Sequence, residues 1–140
     1  MRLTGCVAIL LVTCMLSGCG RPKASESPVE VVRAFVDAVR RSEWDDGALK
    51  EAYGYLAERS RTDLVARAER ASGLAGRAFE PWEMIVQGRV RLRFRPKASG
   101  YKERVGGDTA VVAVRGDTPT ERADVRLVRE HGAWRIVLTR

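Results

Sequence analysis

VRLVREHGAWRIVL, residues 125–138, consists of two alternating apolar runs that meet at His131-Gly132. A two-residue loop at that point pairs Leu127 with Ile136 and Val125 with Leu138, so the apolar faces of both strands agree. The strands are expected over Ala123 to Arg129 and Trp134 to Leu138. Strand alternation then points Asp124, Arg126, Val128 and Glu130 outward, with Arg135, Val137 and Thr139 beside them. Upstream the same punctuation repeats. Gly116 to Thr120 reads as a turn, Thr109 to Val114 as a strand, Gly106-Gly107-Asp108 as a turn, and Tyr101 to Val105 as a short strand. Pro96 to Gly100 is a break.

Before that break stands RVRLRFRPK, residues 89–97. Arg89, Arg91, Arg93 and Arg95 alternate with Val90, Leu92 and Phe94. Trp82 to Phe94 is expected to be extended, with the apolar residues facing the core and the four arginines facing outward together. The chain carries 25 Lys+Arg against 18 Asp+Glu, a formal charge of +7. The excess is uneven. Residues 20–81 hold 11 basic and 11 acidic side chains, whereas residues 82–140 hold 13 and 7. A modest excess of this kind attracts anions in general. Three readings of the arginine stripe follow: a solvated, partly ion-paired face, contact with an anionic envelope component, or a homodimer interface on the outer sheet face.

The first part of the chain is helical in pattern. Ser27-Pro28-Val29-Glu30 combines an N-cap Ser, Pro at N1 and Glu at N3. Val29, Val32, Val36 and Val39 follow at helical spacing beside Phe35, which predicts a helix over about 28–42. Asp45-Asp46-Gly47 precedes a second helix with Leu49, Ala52, Tyr53 and Leu56 on its buried side. Ser60-Arg61-Thr62-Asp63 reads as the cap of a third, with Leu64, Val65, Ala68 and Ala71 inward and Gly73 as its terminator. Helices followed by an antiparallel sheet define an α+β class.

VEVVRAFVDAVRRSEW (29–44), GDTAVVAV (107–114) and the terminal hairpin with its Trp-led last strand resemble the nuclear transport factor 2-like superfamily. Within it they are similar to small bacterial lipoproteins. The resemblance implies three helices packed on a strongly bent antiparallel sheet, a cone with a pocket at its wide end. A cystatin-like fold with one helix fits the three helix signals less well. On this resemblance a pocket lined by Tyr53, Trp82 and Trp134 is expected. Subunit pairing through the outer sheet face is common in the superfamily.

The amino-terminal residues set the compartment. MRLTGCVAILLVTCMLSGC has one charge, Arg2, then an apolar stretch from Cys6 to Leu16. That is short of the ~20 apolar residues of a membrane-spanning helix and fits the core of a secretory signal. Leu16-Ser17-Gly18-Cys19 follows and resembles the bacterial lipoprotein box, in which the Cys is acylated and the chain is cut before it. The implied organisation is a signal peptide over 1–18, a lipidated Cys19 and tether over 19–27, and a domain over 28–140. Acyl chains contribute ~0.8 kcal/mol per buried CH₂ and would hold the chain on a membrane. An eight-residue tether (20–27) reaches roughly 25–30 Å when extended. Gly20 after the Cys favours the outer membrane if the source is Gram-negative. A soluble secreted binding protein is the alternative. An exported location disfavours nucleic acid as a partner.

Catalytic chemistry is thinly represented. The chain has three Cys and one His. Cys6 and Cys14 would leave with the signal and Cys19 would be acylated. His131 stands at a hairpin tip, so neither a transition-metal site nor a Ser–His pair is expected. Asp37, Asp45, Asp46 and Glu51 are the candidate acids of a cone-pocket lyase or isomerase, the enzymatic alternative. No catalytic residue and no cofactor is assigned. The leading expectation is a membrane-anchored envelope lipoprotein whose domain binds or scaffolds.

Overall fold

The computed structural model describes residues 26–87 and 92–138. Helix α1 spans Pro28–Arg41 and begins as its sequence dictates. Ser27 Oγ accepts from the Glu30 N–H at 3.2 Å, and the Glu30 carboxylate accepts from the Ser27 N–H at 2.7 Å. A third acceptor comes from far along the chain: the Glu103 carboxylate takes the Val29 N–H at 3.1 Å. Carboxylates here satisfy N–H groups that lack intrahelical partners and lie at the positive end of the helix dipole. Val31, Val32, Phe35, Ala38 and Val39 are buried. Val29 and Val36 sit at the margin of this stripe rather than within it.

Helix α2 spans Ala48–Gly54. Asp45 prepares its start, with one carboxylate oxygen accepting from the Gly47 N–H at 2.9 Å. Ala52 and Leu56 are fully buried, and Tyr55 is buried beside them. Helix α3 spans Glu58–Ala75, three residues longer at its start than a Ser60 cap implies. Its N-cap is Ala57, whose side chain can accept nothing. The deficit is met across the fold, where both oxygens of the Glu130 carboxylate accept from the Glu58 N–H at 3.2 and 3.1 Å. Ser60 is therefore not a cap. It is 2 % exposed inside the first turn, and its hydroxyl accepts from the Leu138 N–H at 2.9 Å. Nor does Gly73 terminate α3: the helix runs through it to Gly76, which takes the left-handed conformation at φ 67°.

The extended reading of Trp82 to Phe94 fails at both described ends. Pro81–Glu83 is a 3₁₀ turn that continues into α4, Met84–Gln87. Pro81 at N1 fixes a helical φ, and Glu80 and Glu83 cap each other's backbone reciprocally. Ile85 and Met84 close the core from this side. Residues 92–97 bend at Arg93-Phe94 and have no strand pairing. Even so, Leu92 and Phe94 are half-buried against the core, while Arg93 and Arg95 are exposed. Arg89, Val90 and Arg91 lie outside the described residues.

The sheet is a four-stranded antiparallel meander in the order β1-β2-β3-β4. Its strands are β1 Tyr101–Gly106, β2 Thr109–Arg115, β3 Arg122–Glu130 and β4 Ala133–Val137. Leu127 pairs with Ile136, as the alternation requires. The pairing stops at Arg126–Val137, one step before Val125–Leu138, because the Leu138 N–H turns to Ser60. His131 and Gly132 both have positive φ, 50° and 78°, the conformation that a two-residue hairpin turn of matching twist needs. The far edge of β4 is covered: the Ile136 N–H donates to Tyr55 O at 2.9 Å and the Ala57 N–H donates to Ile136 O at 2.8 Å. Such cover removes an unpaired edge that would otherwise invite another strand. Ala110, Val112, Val114, Leu127, Trp134 and Ile136 face the helices and complete one α+β core.

Candidate functional site

The residues singled out from sequence do not converge on one place. Leu16, Ser17, Gly18 and Cys19 lie outside the described residues. Tyr53 and Trp82 do meet, edge to face, with ring centroids 6.3 Å apart. Lys50 stands over the outer face of that pair, 5.5 Å from the Trp82 ring. Trp134 is elsewhere, 4 % exposed, with the Arg129 guanidinium 4.6 Å over its ring. None of the three aromatics belongs to the lining of the two clefts described below. His131 is exposed at its turn.

Three of the four candidate acids are held by a single cation. Arg41 donates to Asp37 at 2.9 Å, to Asp45 at 3.1 Å and to Glu51 at 2.7 Å. The hydrogen bond with Glu51, then the one with Asp37, holds the guanidinium above its ordinary pKa. The cluster ties the end of α1 to the start of α2, and its carboxylates are spent on that link. Asp46 is exposed. Among the described residues no group of three or more His, Cys, Asp and Glu is arranged to hold a metal ion. No helix among them is long and apolar enough to cross a membrane.

Two clefts remain. The larger, about 420 Å³, opens between α1 and the end of β4, where β3 runs on paired with β2 only. Phe35, Leu92, Phe94, Val125 and Leu138 give it an apolar floor, and Arg93, Arg122 and Arg126 form its rim. Its one described carboxylate is Asp124, exposed among those arginines. The smaller, about 370 Å³, lies between the polar side of α1 and residues 95–98. Arg33, Arg40, Arg95 and Lys97 line it together with Asp37 and Tyr101.

The strongest charge feature is the outer face of the sheet. Register and alternation place Lys102 and Arg104 of β1, Arg115 of β2, and Arg122 and Arg126 of β3 on that one surface. All five are exposed, and no ion pair among the described residues involves any of them. Arg115 and Arg122 are direct cross-strand partners, an arrangement that costs stability through like-charge repulsion. Asp124 is the one acid between them. Glu130, expected to offset these charges, is instead turned to the α3 N-terminus, and Arg135 donates to Gly54 O at 2.8 Å. Val111, Ala113, Val128 and Val137 fill the spaces between the cations. The signal for this face was present in sequence as period-two charge, K-x-R at 102–104 and R-x-D-x-R at 122–126. It was overshadowed by the denser arginines at 89–95.

Comparison with family models, with curated proteins and with solved structures returns no match for this chain.

Proposed function

We propose that this chain is a lipid-anchored protein of the bacterial cell envelope. Its nuclear transport factor 2-like domain works by binding, and its basic sheet face lies against an anionic envelope surface. The observation that carries this reading is the outer face itself. Five exposed cations, without ion pairs among the described residues, surround one aspartate on a face whose other acid, Glu130, has been diverted to cap a helix. Like charges placed opposite each other are costly in isolation and are relieved when a polyanion supplies the counter-charge. The Leu16-Ser17-Gly18-Cys19 box adds an acyl anchor, and the short tether over 20–27 would keep the domain within roughly 25–30 Å of the bilayer. The helices-then-meander order supports the superfamily assignment. The 420 Å³ cleft between α1 and the sheet is where its cone would open.

A chain beginning at residue 20 should co-sediment with vesicles containing phosphatidylglycerol and not with pure phosphatidylcholine. Each basic residue near such a surface contributes about 1 kcal/mol. Replacing Arg104, Arg115, Arg122 and Arg126 with Gln should therefore weaken binding by roughly three orders of magnitude, about 4 kcal/mol. Raising salt to about 0.5 M should have a similar effect, because screening shortens the reach of surface charge. Equal sedimentation of parent and variant would sink the contact. The anchor is tested separately: Cys19→Ala should abolish incorporation of labelled fatty acid, and label on the variant would refute it.

A further inference from the structure

The smaller groove is a second basic feature, on the opposite side of the sheet from the face just described. It is formed by one helix face and one loop. Arg33 and Arg40 are two turns apart on α1, which places them about 10 Å from each other along the axis. Val36 and Asp37 lie between them, and residues 95–98 form the facing wall. Asp37 lowers the charge of the lining from +4 to +3, and one of its carboxylate oxygens is bonded to Arg41 at 2.9 Å. Lys97 is partly engaged, with Asp117 3.5 Å away. The side chains of Arg40 and Arg95 make neither a hydrogen bond nor an ion pair among the described residues.

Arg33 is fixed in place. Its guanidinium lies 4.3 Å over the Tyr101 ring and donates to the Ala98 carbonyl. A guanidinium held in this way presents its remaining N–H groups at low entropic cost, and its fork matches the geometry of phosphate oxygens. Burial pushes the Tyr101 hydroxyl above its ordinary pKa, so at neutral pH it remains a donor. Four cations around a 370 Å³ space are more than a single carboxylate requires. The volume is at the small end of ligand pockets.

We propose that the groove lined by Arg33, Arg40, Arg95, Lys97 and Tyr101 is a binding site for a phosphate-bearing ligand with at least two negative charges, a phosphomonoester or diphosphate group. Arg33 and Tyr101 form its rigid end. Arg40 and Arg95 are the two cations that close on the phosphate. This site is independent of the sheet-face reading, with which it shares no residue.

The test uses the full chain in nonionic detergent, titrated by calorimetry with inorganic pyrophosphate. In parallel it is titrated with detergent micelles carrying phosphatidic acid. NMR signals of Tyr101 report whether the groove is the place of binding. Saturable pyrophosphate binding that shifts Tyr101 is expected. It should weaken roughly ten- to hundredfold in Arg40→Gln and in Arg95→Gln, the loss of one charged hydrogen bond each. Both side chains are exposed, so these variants should keep the parent circular dichroism. Arg104→Gln, on the sheet face, should leave the binding unchanged. Saturation by phosphatidic acid alone, with the same losses, supports the site and identifies a lipid headgroup as its source. No saturation by either probe, or binding that survives both substitutions, overturns the proposal.

Discussion

Ser60 separates two accounts of how α3 begins. If Ser60 were the N-cap, Ser60→Asp would be nearly neutral, because Asp and Ser cap equally well. In the structure Ser60 is 2 % exposed, within the first turn, and its hydroxyl accepts from the Leu138 N–H. An aspartate there must bury a carboxylate. One N–H is available to it and the dipole of α3 helps by about 0.3–1 kcal/mol, while desolvation costs several kcal/mol. We expect Ser60→Asp to lose about 2–4 kcal/mol, the balance of those terms. Ser60→Ala should lose about 1–3 kcal/mol by leaving the Leu138 N–H without its acceptor. Alanine alone would not discriminate, since removing a cap costs a similar amount. Urea unfolding followed by far-ultraviolet circular dichroism gives both values. An Asp variant within about 0.5 kcal/mol of the parent would refute the buried-clamp account and restore the cap.

Leu127→Ala, at a site 1 % exposed in the middle of the sheet, should cost about 2–5 kcal/mol in the same assay. A loss under about 1 kcal/mol would mean that the core closes over the gap. Gly100→Ala should cost about 1–3 kcal/mol, because its Cβ would fall 2.3 Å from the Arg115 carbonyl oxygen, a backbone atom of β2 that cannot swing away. Amide exchange at Arg115 should then accelerate, and unchanged protection would count against the contact. Burial raises the pKa of both Tyr55 and Tyr101. Their folded values lie above the unfolded value of about 10, so their contribution is complete below that pH and is lost as pH rises through the folded values. The Tyr55→Phe, Tyr101→Phe chain should lose less stability than the parent as pH is raised above about 10, and equal slopes would exclude the tyrosines as the cause.

What could be read from the sequence was what is encoded locally. The start of α1 lies within Ser27 to Glu30, and the last hairpin within a two-residue turn and one apolar alternation, so both follow from neighbouring residues. The start of α3 was not legible, because its acceptor is Glu130, 72 residues away, and nothing near Ala57 announces it. The helical turn after Pro81 is a different failure. Glu80-Pro81-Trp82-Glu83 carries a complete capping signal, but the alternation of apolar residues suggested a strand. A short apolar run cannot be assigned by periodicity alone, and Pro at N1 is the stronger indicator. The groove residues were hidden for a third reason. Arg33 and Arg40 stand on the exposed side of α1, away from its buried stripe, and only the return of residues 95–98 across the helix makes that side a wall.

The arginines of RVRLRFRPK show what an alternating pattern does and does not specify. Leu92 and Phe94 are half-buried and Arg93 and Arg95 are exposed, as strand alternation demands, yet residues 92–97 have no strand pairing. Alternation therefore recorded which side chains leave water, a matter of desolvation free energy, and not which backbone groups pair. The distinction changes where the charge goes. A paired strand would have set its arginines in one row on the sheet. The bends instead send Arg93 to the rim of the larger cleft, beside Arg122 and Arg126, and Arg95 to the groove on α1. A stripe that is continuous in sequence becomes, over its described half, one cation for each of two separate surfaces. The basic excess of residues 82–140 is then divided between two kinds of surface. Spread over a sheet face, it suits an extended anionic surface, where each charge adds a little. Gathered round Arg33 and Tyr101, it suits a compact dianion, where geometry matters more than total charge.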